Sequence, residues 1–363
     1  MTDPGGPPVT QPRRATIGDI AARAGVSIGA VSFALNDRPG VSAETRSRVK
    51  AIAAELGWRP HSAARALSGA RAGAVGFVLN RPARALGTES FFGDLISGIQ
   101  LGLTSAGGGG RDGSAPTSHV ALNLLVARDL DEEVEVYREW WSGHRVDGVL
   151  VIDPREDDPR LRLLEAIGMP FVVIGSHPST TGTGPSVWID DVAAADTLFG
   201  YLHALGHRRF AHVAGRAEFE HTALRQAALA EFARSAGLET AETITTDYSA
   251  AAAADATRRL LSLPVRPSVI VYDNDVLAVS GLGVAAEMGV DVPGDLSVAS
   301  FDDSVMAQLV RPALTTLTRD TVELGERATR LLLDQLTSPE RLASRPGPAL
   351  TLTVRASTAP PRR

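Results

Sequence analysis

From Ala74 onward the chain reads as continuous apolar runs separated by amphipathic stretches: AVGFVL, HVALNLLV, VDGVLVI, PFVVIG, FAHVAG, SVIVYD and LSVASF. A strand that is apolar at every position, rather than at alternate ones, must be covered on both faces, and helices between such strands are what cover them. The pattern therefore predicts parallel α/β sheets. The 290 residues from Ala74 to the end exceed one comfortable sheet, so two doubly wound lobes are expected, the second with its first strand near Ser186. In such sheets a ligand lies in the crevice beyond the carboxyl ends of the strands.

The first 73 residues are built differently. Residues 1–14 are rich in Pro and Gly and read as a disordered tail. Thr16 and Asp19 have capping-box-like spacing for a helix over IGDIAARAG, whose Ile17, Ile20, Ala21 and Ala24 share a face, and Gly25 supplies a left-handed stop. Ser27 is a natural N-cap for a second helix with Ala30, Val31, Ala34 and Leu35 inward. Ser42 caps a third, AETRSRVKAIAAELG, which buries Val49, Ile52, Ala53 and Leu56. Three short helices with a tight Gly-containing turn over 15–60 make a helix-turn-helix head. The outward face of its second helix is unusual for a DNA reader: GVSIGAVSFALN offers Ile28, Gly29 and Phe33, and no arginine.

Charge separates the two parts. Residues 1–70 hold nine Arg/Lys against five acids, a net +4, while the whole chain carries −6, so the remainder carries −10. A basic head on an acidic body suggests that only the head meets a polyanion. The absence of cysteine excludes disulfides, thiolate nucleophiles and cysteine-ligated zinc. No apolar run approaches the ~18 residues that span a bilayer, and the opening MTDPGGPPVTQPRR lacks the apolar core of a secretory signal, so a cytoplasmic location is expected.

Motifs for other chemistries fail on context. AGGGGRDGSAPTS precedes a strand and lacks the Gly-Lys-Ser/Thr ending of a phosphate cradle, so it reads as a lengthened surface loop. GLGVAA (Gly281–Ala286) matches a dinucleotide pattern by letters, but its helix should already start near Asn274, which makes these glycines packing positions. His203 and His207 straddle a helix end at Gly206, and no Gly-x-Ser-x-Gly elbow occurs. No metal, cofactor or enzymatic activity is expected.

TIGDIAARAGVSIGAVSFALN, VSAETRSRV, LGWRPHSAARAL, VDGVLV, LGHRRFAHVAG, YDNDVLAV, SFDD, PALTTL and VRAST occur in the order and spacing of lactose-repressor-type (LacI/GalR) transcription regulators, which the chain resembles from about Thr16 to Thr358. The resemblance implies an all-α helix-turn-helix head, a hinge over 61–73, and an α/β core over 74–363 of two doubly wound parallel-sheet lobes of periplasmic-binding-protein type. It assigns about 74–176 and 318–341 to lobe 1, and 177–317 and 346–358 to lobe 2. Three crossovers follow, with TVELGERATRLLLDQL returning to the first lobe and the final strand LTLTVRAST to the second. It also implies a homodimeric repressor of double-stranded operator DNA whose affinity changes when a small-molecule effector, commonly a sugar, enters the cleft.

By the same resemblance, Ile28 and Gly29 stand at the two positions of the recognition helix that vary with operator sequence, and Phe33 where many members carry an arginine to a base. A bidentate Arg–guanine pair discriminates by about 1–3 kcal/mol, whereas Ile and Phe offer apolar contact such as a thymine methyl, so base preference should be altered. Thr16, Ser27, Ser32 and Asn36 match backbone-positioning groups, with Arg46 and Arg48 as phosphate partners. In the linker, Leu67 matches the leucine that wedges open a minor-groove base step and Ala64 the alanine one turn before it, while His61 replaces the usual asparagine. In the cleft, Arg225, Asn274 and Asp302 match effector-binding positions, Phe91 and Phe92 the cleft wall, and Tyr248 is a candidate to stack on a sugar face. Asp275 is expected to cap a helix. Packing alone is the competing explanation for Phe33 and for Leu67, and interlobe hydrogen bonding without a ligand is the competing explanation for Arg225, Asn274 and Asp302.

The core by itself would also suit a solute-binding protein for transport, which the basic head opposes. An enzyme using the cleft would need a catalytic constellation that the sequence does not offer. For the effector, nucleobases and other small polar molecules stay open beside sugars.

Overall fold

The computed structural model describes residues 15–35, 37–58, 71–82, 85–106, 120–175, 177 and 184–362. They fall into two units, Met1–Ala70 and Arg71–Arg363. The tail 1–14, the loop residues 107–119, Asn36, and the hinge positions His61, Ala64 and Leu67 lie outside the described residues.

The first unit contains α1 (Ile17–Ala24), α2 (Ile28–Leu35) and α3 (Ala43–Glu55). Thr16 Oγ1 accepts from Asp19 N, while Thr16 N donates to the Asp19 carboxylate at 2.7 Å, a reciprocal cap that satisfies two otherwise orphaned donors. Gly25 ends α1 at φ 66°, a conformation that disfavours residues with a Cβ. Ser27 Oγ accepts from Ala30 N and Ser42 Oγ from Thr45 N, both at 3.2 Å. Ile20, Val31, Ala34 and Val49 form the core, with Leu35, Ile52, Leu56 and Trp58 at its margin. Phe33 does not cap this core; it is 42% exposed, its ring lying against Gly40.

The second unit holds two six-stranded sheets. The first contains β1 (Ala74–Leu79), β2 (Ala121–Val126), β3 (Gly148–Val151), β4 (Phe171–Gly175), β5 (Ser186–Trp188) and the late β11 (Arg345–Pro346). They lie in the order β2-β1-β3-β4-β5-β11, all parallel. Val75, Phe77 and Leu79 face α5 (Ser90–Ala106), which follows the short α4 (Ala85–Thr88), and α13 (Thr321–Thr337). Ala74 and Val78 face α6 (Leu130–Ser142) and α7 (Pro159–Ala166). The continuous apolar run of β1 thus serves two cores, one per face.

The second sheet contains β6 (Arg209–Ala214), β7 (Thr240–Thr245), β8 (Val269–Tyr272), β9 (Ser297–Ser300), β10 (Thr315–Thr318) and β12 (Thr351–Thr353). Its order is β7-β6-β8-β9-β10-β12, parallel except for β12, which runs antiparallel to β10. Around it lie α8 (Asp191–Ala204), α9 (Glu220–Ala236), α10 (Ala250–Leu261), α11 (Asp275–Glu287) and α12 (Val305–Leu309). In both lobes the strand order reverses between the first and third strands, which opens a crevice at their carboxyl ends.

Three expectations are corrected. The second lobe does not begin at 177 or with Ser186: β5 pairs with β4 through Val173–Ser186, Ile174–Val187 and Gly175–Trp188, and fully buried Val187 completes the first lobe's core. The chain crosses only after Trp188. On the return, Pro346 belongs to the first lobe's edge strand, paired with Trp188. The cap of α11 is Asn274, whose Oδ1 accepts from Leu277 N at 3.0 Å; Asp275 is the first helical residue.

The GLGVAA glycines lie inside α11, where a Cβ on Gly281 would fall 2.0 Å from Tyr272 Oη, so close packing accounts for them. His207 is buried between Ser268 Oγ and the Ala359 carbonyl, and burial lowers its pKa to about 4. Helices α5 and α13 also meet at glycines: a Cβ on Gly325 would stand 2.4 Å from the Leu95 carbonyl oxygen. The entry to β1 is pinned, since the Asp147 carboxylate accepts from the backbone N–H of Ala72, Gly73 and Ala74 at 2.6, 2.7 and 3.3 Å.

Candidate functional site

On the first unit, α2 presents Ile28 (57% exposed), Gly29, Ser32 and Phe33 over an arc of about 140° at 100° per residue, opposite buried Val31 and Ala34. Its most exposed side chains, Ile28 and Phe33, are apolar. Thr16 and Ser27 sit at the helix starts with their hydroxyls engaged in caps. Arg48 is exposed, but Arg46 is committed: its guanidinium donates to Asp37 at 3.0 Å and to the Arg38 carbonyl at 2.8 Å, and Lys50 shares Asp37. Arg46 thus braces the loop between α2 and α3.

In the second unit, the crevices of the two lobes face each other across a cleft. All six residues singled out in the sequence, Phe91, Phe92, Arg225, Tyr248, Asn274 and Asp302, line it. Their partners were not anticipated.

Arg225, on α9, places Nε 2.8 Å from Asp191 Oδ1 and Nη1 3.2 Å from Asp273 Oδ1. Its guanidinium lies 4.4 Å over the Phe301 ring. Asp273 follows β8 directly and also accepts from Gly215 N at 2.6 Å, with His212 Nε2 at 2.9 Å. Burial pushes the Asp273 carboxyl up, but His212 and Arg225 outweigh it and hold the group well below the usual carboxylate range. Burial likewise opposes the Arg225 charge, and Asp191 and Asp273 overcome it. Arg225 is therefore a fixed cation with both carboxylates already paired.

Across the cleft, Arg81 follows β1 and Asp153 follows β3, with Arg81 Nε donating to Asp153 at 2.8 Å. Burial would raise the Asp153 carboxyl; Arg81 beside it holds it below its ordinary value. The Arg81 guanidinium reaches into the other lobe, 4.3 Å over the Tyr248 ring and 4.7 Å over Phe219. Gly215 approaches Tyr248 so closely that a Cβ there would sit 1.9 Å from Cζ, and Tyr248 Oη lies 2.8 Å from His221 Nε2. The Tyr248 ring therefore carries Arg81 and is not an open platform for a sugar.

Two further pairs complete the wall. Asn274 Nδ2 donates to Glu89 Oε2 at 3.4 Å across the lobes. Burial pushes Glu89 up to about 7, with Asp153, Asp302 and Asp275 adding to the rise and Arg81 opposing it. Asp302 accepts from Arg319 Nη2 at 2.5 Å, and Arg319 lies over Phe91 at 5.1 Å. At the lip, Arg155 bridges Phe219 and the Pro154 carbonyl accepts from Glu220 N at 2.9 Å, so the lobes are in contact. Charged residues immediately beyond β1, β3 and β8 were the signal that marks Arg81, Asp153 and Asp273. Among the described residues no group of His, Asp and Glu has the geometry to hold a metal ion, and no single helix is long and apolar enough to cross a membrane.

Comparison with known proteins agrees with both units. Residues 16–61 match the family of bacterial regulatory proteins, lacI family, and residues 199–358 match the periplasmic binding protein-like domain. The HTH-type transcriptional regulator CelR of Thermobifida fusca is 30% identical over 328 residues, covering 90% of this chain and 93% of that protein. Among solved structures, a LacI family transcriptional regulator from Bifidobacterium animalis subsp. lactis is 34% identical at a TM-score of 0.70, covering 81% of this chain and 100% of that one. A complex of the transcriptional regulator CelR with cellobiose is 27% identical at a TM-score of 0.68, covering 95% and 100%. With a helix-turn-helix on one unit and a two-lobed cleft in the other, the chain belongs to the lacI family of bacterial regulatory proteins and is a DNA-binding transcriptional regulator.

Proposed function

We propose that the chain is a cytoplasmic, homodimeric repressor whose grip on operator DNA is set by a small sugar bound between the lobes. The observation that carries this is the cleft wall: Asn274–Glu89 and Arg81 over Tyr248 join opposite lobes, so a ligand among them selects one closure angle by its differential affinity. Arg225, Asn274, Asp302, Phe91 and Phe92 contact the effector, and Tyr248 acts through Arg81. The CelR–cellobiose complex supports a sugar in the equivalent fold. On DNA, Ile28, Gly29 and Phe33 read bases by apolar contact, Thr16, Ser27, Ser32 and Asn36 set register, and His61, Ala64 and Leu67 enter the minor groove.

The test is a gel shift of DNA from the gene's own neighbourhood, with and without cellobiose, glucose and ribose. Retarded DNA whose retardation changes with a sugar is the expected result. Removal of residues 1–70 should abolish retardation, and a truncated core that still retards the DNA contradicts the proposal.

A further inference from the structure

Resting on the reading of the cleft as the effector site, we propose that the effector is an uncharged polyhydroxylated molecule bearing neither phosphate nor carboxylate, and that Arg81 ties its recognition to lobe closure. The charge inventory of the wall comes first. Among the described residues, six carboxylates line it, on Glu89, Asp153, Asp191, Glu220, Asp273 and Asp302, against three guanidiniums, on Arg81, Arg225 and Arg319.

Each guanidinium is already answered by a carboxylate: Arg81 by Asp153 at 2.8 Å, Arg225 by Asp191 at 2.8 Å and Asp273 at 3.2 Å, Arg319 by Asp302 at 2.5 Å. Among the described residues, an anion entering the cleft meets a net negative wall and no uncommitted guanidinium. Its repulsion is strengthened by the desolvated surroundings, and like-charge juxtaposition is how a site rejects a wrong ligand.

The unused hydrogen-bonding capacity points the same way. Arg81 Nη1 and Arg319 Nε are buried N–H groups with no partner, and the carboxylate oxygens accept. A hydroxyl donates and accepts, so it satisfies both kinds of group; a phosphate dianion only accepts and faces the carboxylates lone pair to lone pair. Arg81 is singled out because its ion pair lies in one lobe and its ring contacts, Phe219 at 4.7 Å and Tyr248 at 4.3 Å, in the other. Asp153 and Phe92 of its own lobe orient the guanidinium, and Phe219 and Tyr248 cover it from the other lobe, so an effector that accepts from its unpartnered N–H binds at a point both lobes touch.

Thermal shift and calorimetry on the full chain test this, using glucose, ribose and cellobiose beside glucose 6-phosphate, ribose 5-phosphate and gluconate. Only neutral probes should raise Tm. Arg81→Lys keeps a charge for Asp153 but loses the planar fork, and should weaken the best neutral probe at least tenfold; Phe219→Leu, which removes a ring from the other lobe, should weaken it in the same direction. Unchanged affinity in both variants removes Arg81 from recognition. A phosphorylated or carboxylated probe that binds at least as tightly as its neutral parent, and loses that binding in Asn274→Ala, overturns the proposal while leaving the cleft as the effector site. A binding probe indifferent to Asn274→Ala overturns the cleft reading itself, and no shift from any probe counts against both.

Discussion

At Arg225 two demands meet, because the side chain proposed to contact the effector also compensates two buried carboxylates, Asp191 and Asp273. Removing one member of a buried pair leaves the others uncompensated, at about 3–5 kcal/mol. Arg225→Ala is therefore expected to lower the denaturant midpoint of the core as well as its effector response, and an unchanged midpoint would show that the acids find other partners. Glu89 makes a different prediction. Its pKa rises from the ordinary 4.5 to about 7 in the folded chain, so between these values the folded state holds a proton that the unfolded state has released. The stabilisation is complete below about pH 4.5 and is lost as pH rises through about 7, a change of roughly 3 kcal/mol. Glu89→Gln mimics the protonated form, so its Tm should match the parent near pH 5 and exceed it at pH 8. Parallel Tm profiles for the two proteins across that range would refute the assignment.

Helices and long strands were legible because their signals are local. Thr16, Ser27 and Ser42 mark helix starts by hydroxyls that accept from the backbone N–H of Asp19, Ala30 and Thr45, the third residue of each helix, and β1 and β8 are apolar at nearly every position. The short strands β5 and β11, three and two residues long, cannot show any period, so the first crossover was placed early. Cleft residues followed the same division. Arg225, Asn274 and Asp302 belong to recognisable stretches, whereas the Glu89–Asn274 pair and the rings of Phe219 and Tyr248 over Arg81 form only when two lobes distant in sequence come together. The α5–α13 contact was also invisible in sequence, although its glycines leave no room. Gly325→Ala forces a Cβ against the Leu95 carbonyl and should destabilise the core by about 1–3 kcal/mol, as measured by urea unfolding; a neutral change would mean that the helices slide apart freely.

For the molecule as a whole, charge divides the two binding events. Operator affinity should fall with salt at a log–log slope of roughly −0.9 for each phosphate neutralised by the basic head, while effector affinity in the acidic core stays nearly flat. Equal salt slopes for both would mean that the head does not carry the DNA contacts. The Asp147 clamp on Ala72, Gly73 and Ala74 gives this division a mechanical side. Among the described residues it fixes residues 72–74 to the loop before β3 of the first lobe, so a movement of that lobe carries this stretch of chain with it. Asp147→Asn leaves the cleft untouched but loosens the clamp. Calorimetry should then find the effector bound as before, while gel shift finds the operator response blunted: a steering column that turns with slack at the joint.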